Sequence, residues 1–224
     1  MITADLIQRE NRKTLTLSVM KDGRVVVKAP HKMSSDLINK FIEDKQRWLE
    51  AKVLLVKNMR EEFSECIVYK QTLIYGVRYK ICVGDTKSVI VDSSKKTIVA
   101  PKSISDGQIL TKLKNWYKGN AKKIVLSRLD YISKRIKIAY NGFRLTNAKG
   151  KWGSCNSKKL ISINWRIVML PPELIDYVIV HELCHIKEMN HSPKFWQTLS
   201  LFLPNYSSLR KQLKKYSFTL DLYR

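Results

Sequence analysis

The sequence predicts an α+β fold, with a β-rich N-terminal region containing one helix and a helical C-terminal domain built around a small sheet. Three observations predict this class. Short β-like runs separated by turn residues dominate the first 100 positions, apolar residues recur at helical spacing from Ile109 to Ile132, and another apolar helix begins at Pro172. We place the boundary in the predicted linker, so that the regions cover residues 1–104 and 105–224.

The N-terminal region begins with a predicted β-hairpin. Residues 14–29 alternate polar and apolar side chains around Lys21-Asp22-Gly23, which is a turn sequence. Ser34 or Ser35 can cap the helix that follows, and its apolar stripe continues to about Lys57. Four short β-like runs come next, divided by Gly, Asp and Ser residues, at 72–75, 77–83, 88–91 and 96–99.

The C-terminal domain begins after a predicted linker at residues 101–107. A long helix follows, with apolar residues at helical spacing, and we expect it to end near Lys137. Beyond it the sequence predicts three strands and then, after an apolar helix, two more helices. The strands cover 144–146, 151–155 and 160–164, and the last two helices cover 193–202 and 205–215.

The apolar helix after these strands carries the most specific pattern in the chain. Pro172 suits its first position, and we expect it to run to Met189 and to end with Asn190 in a left-handed conformation. On this helix His181 and His185 are one turn apart and share a face, so that two imidazoles can converge on one ion.

Glu182 follows His181 directly, which completes an H-E-x-x-H motif. It projects about 100° around the helix from His181, close to a metal ion but free to act as a base on a bound water. This is the arrangement of a zinc hydrolase. A long helix, a small sheet and an H-E-x-x-H helix, in that order, form the minimal zincin arrangement.

The third metal ligand is predicted almost by elimination. After Glu188 the only acidic residue is Asp221, and no histidine follows His191, so His191 is the candidate and Asp221 a reserve. Ser192 and Pro193 suit the N-cap and first position of the next helix, so the chain reverses sharply and can return His191 to the ion. We expect Glu188 to face solvent or to support a metal ligand from behind.

The spacing of the three histidines is also that of the metzincins, but two further requirements of that class fail. Glu188 stands where a glycine is expected. No methionine follows Met189 to form a Met-turn. The chain is therefore not a metzincin.

Composition indicates one domain or two closely packed units. The chain has 224 residues, of which 44% are apolar, which is enough to bury a good core. No apolar run approaches about 18 residues and the N-terminus lacks a signal-peptide profile, so we expect a cytoplasmic protein that does not bind membranes. The four cysteines show no paired short spacing, which argues against a disulfide framework and against a zinc ribbon.

The net charge of +23 favours a polyanionic partner. Such a field attracts nucleic acid, an anionic membrane surface or acidic protein segments. Residues 112–137 carry nine Lys and Arg residues against only Asp130. A solvated, lysine-rich helix face is the leading interpretation of that region, and nucleic-acid affinity is the alternative. Without a base-reading motif, such binding would be directed at the phosphate backbone and depend strongly on salt.

Several segments together resemble the YgjP-like bacterial metallopeptidases. They read KWGSC at 151–155, INWR at 163–166, PPE at 171–173, HELCH at 181–185 and MNHSPKFW at 189–196. Segments 12–15 and 22–30 are similar too, so the resemblance covers nearly the whole chain.

The resemblance implies a zincin-like metallopeptidase domain in which His181, His185 and His191 bind the metal and Glu182 is catalytic. The family is distantly similar to the SprT-like proteases, which act on proteins crosslinked to DNA. By analogy alone, this similarity suggests that the positive charge serves to bind DNA.

Peptide hydrolysis is the function that these residues predict. One zinc ion held by three neutral imidazoles lowers the pKa of a bound water toward about 7, and Glu182 passes that water's proton to the leaving amine. We expect the strand with Trp152, Gly153 and Ser154, together with Asn164, to hold the substrate backbone. Alternatively, Trp152 and Asn164 simply pack or tie down the metal loop. Tyr206 and Arg166 are candidates for stabilising the oxyanion.

Two other functions stay open. The first is a nucleic-acid-associated protein, in which the metal is structural or the protease acts only on bound substrates. The second is metal-dependent hydrolysis of a non-peptide amide, since the same activated water would serve. The sequence indicates neither the physiological substrate nor the oligomeric state.

Overall fold

The computed structural model describes residues 1–20, 22–62, 71–102 and 105–223, which form two compact units of mixed α and β structure. The units are Met1–Ser64 and Glu65–Arg224. The border between these units differs from the predicted boundary between residues 104 and 105. That predicted boundary marks the start of the catalytic domain, and it stays a prediction. Lys21 in the predicted hairpin turn and residues 103–104 of the predicted linker lie outside the described residues. The α+β class is confirmed.

The first unit contains a three-stranded sheet. Strands β1 (Leu6–Glu10), β2 (Thr16–Val19) and β3 (Val25–Pro30) lie in the order β1-β3-β2, with β3 parallel to β1 and antiparallel to β2. The predicted hairpin is therefore confirmed, and Gly23 takes a φ of +94° after its turn. Alternate side chains of β3 form the core with the helices that follow, namely Val25, Val27, Ala29, Ile38, Ile42 and Leu49.

Two helices occupy the stretch for which the sequence predicts one. Helix α1 (Ser35–Asp44) is capped by the Ser34 hydroxyl, which accepts a hydrogen bond from the Leu37 amide. Helix α2 (Gln46–Glu62) begins after Lys45, whose φ of −105° and ψ of 8° end α1. The apolar residues keep helical spacing across this break, so periodicity alone could not reveal it.

The second unit begins with a four-stranded sheet in the order β4-β5-β7-β6, in which β5 and β7 are parallel and the other pairs are antiparallel. All four strands match the predicted runs within two residues. They are β4 (Gln71–Ile74), β5 (Val77–Gly84), β6 (Ile90–Asp92) and β7 (Thr97–Pro101).

A two-residue turn at Tyr75 and Gly76 joins β4 to β5 and anchors this sheet. Both residues have positive φ, +50° and +79°, as a type I′ turn requires. Their amides donate to the carbonyls of Val168 and Met169, at 2.8 and 3.0 Å. A Cβ atom on Gly76 would lie 2.6 Å from Cγ of Pro171. The turn therefore requires glycine at this position, for both its backbone angle and its space.

Gly76→Ala is expected to lower the free energy of unfolding by about 2–3 kcal/mol, because it adds left-handed strain and a clash with a ring that cannot swing away. Urea unfolding followed by circular dichroism measures this. The matched control is Gly119→Ala, where a Cβ meets nothing within 4 Å; there the stability should stay the same or rise. An unchanged unfolding midpoint for Gly76→Ala would contradict the argument.

The long helix α3 (Asp106–Ile136) packs one face into the second unit. Ser105 and Gln108 form a capping box at its start, and Lys137 ends it in the left-handed conformation with a φ of +56°. The buried face repeats every four residues, at Leu113, Tyr117, Ala121, Val125 and Leu129. The predicted long helix and its end are confirmed.

A second small sheet follows α3. Strands β8 (Gly142–Thr146), β9 (Gly153–Cys155) and β10 (Leu160–Asn164) lie in the order β8-β10-β9. Strand β10 is parallel to β8 and antiparallel to β9, so β9 is an edge strand of this sheet. A 3₁₀ helix at Trp165–Met169 leads from β10 to the next helix.

The last elements are helices α4 (Pro172–Cys184), α5 (Pro193–Phe202) and α6 (Tyr206–Lys215), with a 3₁₀ turn at Tyr216–Asp221. Arg128 of α3 pairs with Asp176 of α4, with Nε 2.8 Å from Oδ1. Helix α4 is apolar on nearly all sides, which agrees with its burial among α3, β9, α5 and α6.

Helix α4 ends at Cys184, five residues before the predicted end at Met189, and Asn190 is not left-handed. The reason lies in a side chain. Nδ1 of His185 hydrogen bonds to the Glu188 carbonyl at 3.0 Å, whereas in a continuing helix that carbonyl would bond to a later amide. Among the described helices, none has both the length and the apolar character needed to cross a bilayer.

Candidate metal centre

Three histidines converge at the end of α4. His181 lies in its last turn, His185 is its C-cap, and His191 lies in the loop before α5. One ligand atom from each lies within 4.8 Å of the other two, and Nε2 of His181 is 3.0 Å from Nε2 of His191. Tetrahedral zinc with Zn–N bonds of about 2.0–2.1 Å places its nitrogen ligands about 3.3 Å apart. The three imidazole donors are therefore close enough together to hold one metal ion.

The backbone around the site holds the ring of His185 in place. Nδ1 of His185 faces the Glu188 carbonyl, which leaves Nε2 of His185 for a metal. Glu188 itself forms an ion pair with Lys194, with Oε1 2.7 Å from Nζ. The sequence leaves open whether Glu188 faces solvent or supports a metal ligand from behind; in the structure its side chain pairs with Lys194 and its backbone carbonyl contacts His185.

His191 is the exposed member of the group and is held by the start of α5. The Ser192 hydroxyl accepts a hydrogen bond from the Phe195 amide and Pro193 is the first helical residue, as predicted. The Trp196 ring stacks on the His191 ring with 5.4 Å between centroids, and its Nε1 donates to the His191 carbonyl at 3.1 Å. The sharp reversal that the sequence predicts therefore returns His191 to its partners.

The electrostatics of the cluster favour neutral imidazoles. Burial, followed by the nearby rings of His185 and His191, lowers the pKa of His181 to about 3. Burial likewise lowers the pKa of His191. Neutral imidazole is the form that binds a metal, so the site is ready to do so at neutral pH without first losing protons from these two rings.

Glu182 lies beside the histidines and directly against the backbone of β9. A Cβ atom on Gly153 would be 2.5 Å from its Oε1 and 2.6 Å from its Cγ. The side chain is 5% exposed, and among the described residues Oε2 has no hydrogen-bond partner. Burial raises the pKa of Glu182 to about 8, against the opposing charge of Lys151. The raised pKa means that the Glu182 carboxylate has a high affinity for a proton.

A cavity of about 590 Å³ opens onto the histidines and Glu182. The predicted substrate residues Trp152, Gly153 and Ser154 line it, because β9 borders α4. Side chains that the sequence did not single out also line it, namely Lys151, Cys155, Tyr177, Val178, Met189, Arg210, Leu213, Lys214, Ser217 and Leu220. Arg210 and Lys214 are four residues apart on one predicted helix, and this spacing could have predicted that the two cations share a face.

Asn164 does not line this cavity. It is fully buried, and its side-chain amide donates to the carbonyls of Ala148 and Lys151, at 2.7 and 3.3 Å. Its Oδ1 accepts from the Arg166 amide at 3.1 Å. Asn164 therefore holds the loop before β9 in place, which corresponds to the alternative interpretation of this residue.

The remaining sequence candidates lie outside the cavity. Arg166 is buried, with Nε bonded to the Leu222 carbonyl and one terminal nitrogen to Oδ1 of Asn147, both at 2.7 Å. Tyr206 stacks on Trp196 with 5.4 Å between ring centroids. Asp221, the reserve ligand, is not part of the histidine group.

Comparison with known proteins yields a family match, and the similar solved structures include a metallopeptidase zymogen. The sequence model of the YgjP-like metallopeptidase domain matches residues 13–216. The crystal structure of the metallopeptidase zymogen of Pyrococcus abyssi abylysin is similar to this chain with 20% sequence identity and a TM-score of 0.37, covering 40% of this chain and 90% of that one. No curated protein matches this chain significantly.

Proposed function

Because the chain belongs to the YgjP-like metallopeptidase family, whose members are metal-dependent peptidases, we propose that it hydrolyses peptide bonds with one zinc ion and Glu182 as the general base. One observation carries the proposal. Three imidazole donors lie within 4.8 Å of one another, and the buried Glu182 borders the same cavity. Three protein ligands with a fourth position open to a cavity are typical of catalytic zinc rather than of structural zinc.

His181, His185 and His191 would hold the ion. When bound, zinc supplies Lewis-acid chemistry, since it lowers the pKa of a water at its open position toward about 7 and polarises a carbonyl. Burial lowers the pKa of His181 and of His191, which favours their neutral rings, and the Glu188 carbonyl orients His185. Trp196 keeps the exposed His191 in place.

Glu182 would move the proton. Its Oε2 lacks a partner among the described residues, so it can accept the proton of the attacking water and return it to the leaving amine. Gly153 contributes by having no side chain, which leaves space for the carboxylate against the strand. General acid–base catalysis of this kind contributes about 10²–10⁴-fold to a rate.

Strand β9 would bind the substrate backbone. Within its sheet it pairs only with β10, and its residues line the cavity that holds Glu182 and the histidines. An extended peptide can add to such an edge as a further strand, which brings its carbonyl groups past the metal site. Ser154 lies in the middle of β9 and Trp152 precedes it, so both can contact side chains of a bound peptide.

A second candidate function is association with nucleic acid, favoured by the exposed cations of α3. Lys118, Lys122 and Lys123 are exposed, and no carboxylate in the described part of the chain forms an ion pair with them. Phosphate contacts of this kind give affinity without sequence preference. On this proposal, DNA would bring protein substrates to the peptidase.

One experiment tests both proposals. Purified protein should contain about one zinc per chain, whereas His185→Ala, which removes one ligand, should contain far less. The metal-loaded protein should cleave an unfolded protein, and added DNA should raise the rate at low salt if nucleic acid is a partner. Wild-type protein without zinc would overturn the metal proposal. Cleavage of small amides but of no peptide would favour the non-peptide hydrolase instead.

A further inference from the structure

Helix α6 places two cations in the wall of the metal cavity. Arg210 and Lys214 are one helical turn apart, and both line the cavity together with Leu213 between them. Lys151 lines it from the loop before β9. The cavity that holds the three histidines is therefore bordered by positive charge on two sides.

Within the described residues, no carboxylate forms an ion pair with Arg210, Lys214 or Lys151. Among the described residues that line the cavity, Glu182 is the only one with a carboxylate, and it is 5% exposed. On a solvated surface, cations usually have carboxylates nearby that offset their charge. Among the described residues of this cavity wall, the exposed charged side chains are all positive.

Arg210 also lies close to the reacting centre. Its guanidinium is 4.8 Å from the centroid of the Trp196 ring, and that ring stacks on His191. A substrate group that reaches Arg210 is therefore within about three extended residues of the metal site.

We propose that Arg210 and Lys214 determine specificity by binding a carboxylate of the substrate, so that the enzyme prefers peptides with an acidic group near the scissile bond. A guanidinium can bind a carboxylate with two parallel hydrogen bonds, and Lys214 adds a second positive charge one turn away. The carboxylate belongs either to an Asp or Glu side chain or to the C-terminus of the peptide. The inference rests on the proposed peptidase function and specifies its substrate class.

Matched fluorogenic peptides test this specificity. One set carries Glu, Gln or Lys at each position from the third residue before to the third residue after the cleaved bond. A second set compares a free C-terminus with an amidated one and so distinguishes the two sources of the carboxylate. Wild type should cleave an acidic peptide with a kcat/KM about tenfold above its neutral partner.

Arg210→Gln should remove most of this preference, and the double variant with Lys214→Gln should remove the rest. The readout is the ratio of kcat/KM for the acidic peptide to kcat/KM for its neutral partner, and this ratio should fall from about ten toward one. Lys211→Gln is the matched control. It removes the same charge from an exposed position on the same helix that does not line the cavity, and the preference should persist.

The outcomes separate this inference from the function it rests on. If wild type cleaves acidic and neutral peptides equally, the inference is wrong and the peptidase proposal stands. If wild type cleaves no peptide, binding of fluorescent acidic peptides to the zinc-loaded Glu182→Gln protein decides, since binding needs no catalysis. Loss of that binding in Arg210→Gln, but not in Lys211→Gln, supports the cation pair. Equal binding in all variants, or displacement of the peptide by a DNA duplex, overturns it.

Discussion

Glu182→Gln is expected to retain its zinc and to lose about 10²–10⁴-fold in kcat on peptide substrates. Glutamine has the shape of glutamate, so it fits against Gly153 as the wild-type side chain does. It cannot accept a proton at neutral pH, and proton transfer from the attacking water then has no base. Because glutamine leaves the three histidines unchanged, zinc content should not fall.

The measurement combines metal analysis with kcat and KM on one peptide. A fall in kcat with little change in KM indicates loss of an interaction made in the transition state. Glu173→Gln is the matched control, since it removes a carboxylate from the exposed first turn of the same helix and should leave kcat unchanged. A Glu182→Gln enzyme with more than a tenth of wild-type activity would remove Glu182 from the mechanism.

Gly153→Ala is expected to lower kcat by about 10²-fold with zinc still bound. The added Cβ would lie 2.5 Å from Oε1 and 2.7 Å from Cδ of Glu182, closer than van der Waals contact allows. Either the carboxylate or strand β9 must move. A displacement of about 1 Å at a catalytic group can lower the rate by about 10²-fold. The three atoms nearest to the new Cβ all belong to Glu182.

A double variant makes this prediction sharp. If Gly153→Ala acts by displacing the Glu182 carboxylate, it should add little to Glu182→Gln, because the group that it displaces no longer reacts. Gly142→Ala is the control, since its Cβ would meet only Leu160 Cδ1 at an ordinary 3.5 Å in the same sheet. Full additivity of the two losses would mean that Gly153 acts on the substrate and not through Glu182.

The secondary structure around the site follows from local sequence patterns. The Ser192-Pro193 start of α5, the Pro172 start of α4 and the end of α3 at Lys137 all lie where the sequence predicts them. Caps and periodicity depend on residues within one or two turns of each other, so a sequence contains the information directly. The predicted end of α4 at Met189 was wrong. The helix ends at Cys184, and the Glu188 carbonyl bonds to the His185 side chain instead of to a later helical amide.

The sequence by itself determined that His181 and His185 share one helix face and that His191 is the nearest further donor. Residues four apart on a helix share a face, which places His181 and His185 together. No histidine follows His191 and only one carboxylate follows Glu188, which makes His191 the candidate third donor. Only the tertiary structure decided that Gly153 lies against Glu182, that Asn164 ties down a loop instead of lining the cavity, and that Arg210 and Lys214 border the metal site. These contacts join β9, α4 and α6, which are separated by at least 16 residues of sequence. Packing between distant elements, unlike helical spacing, is not encoded in any local pattern.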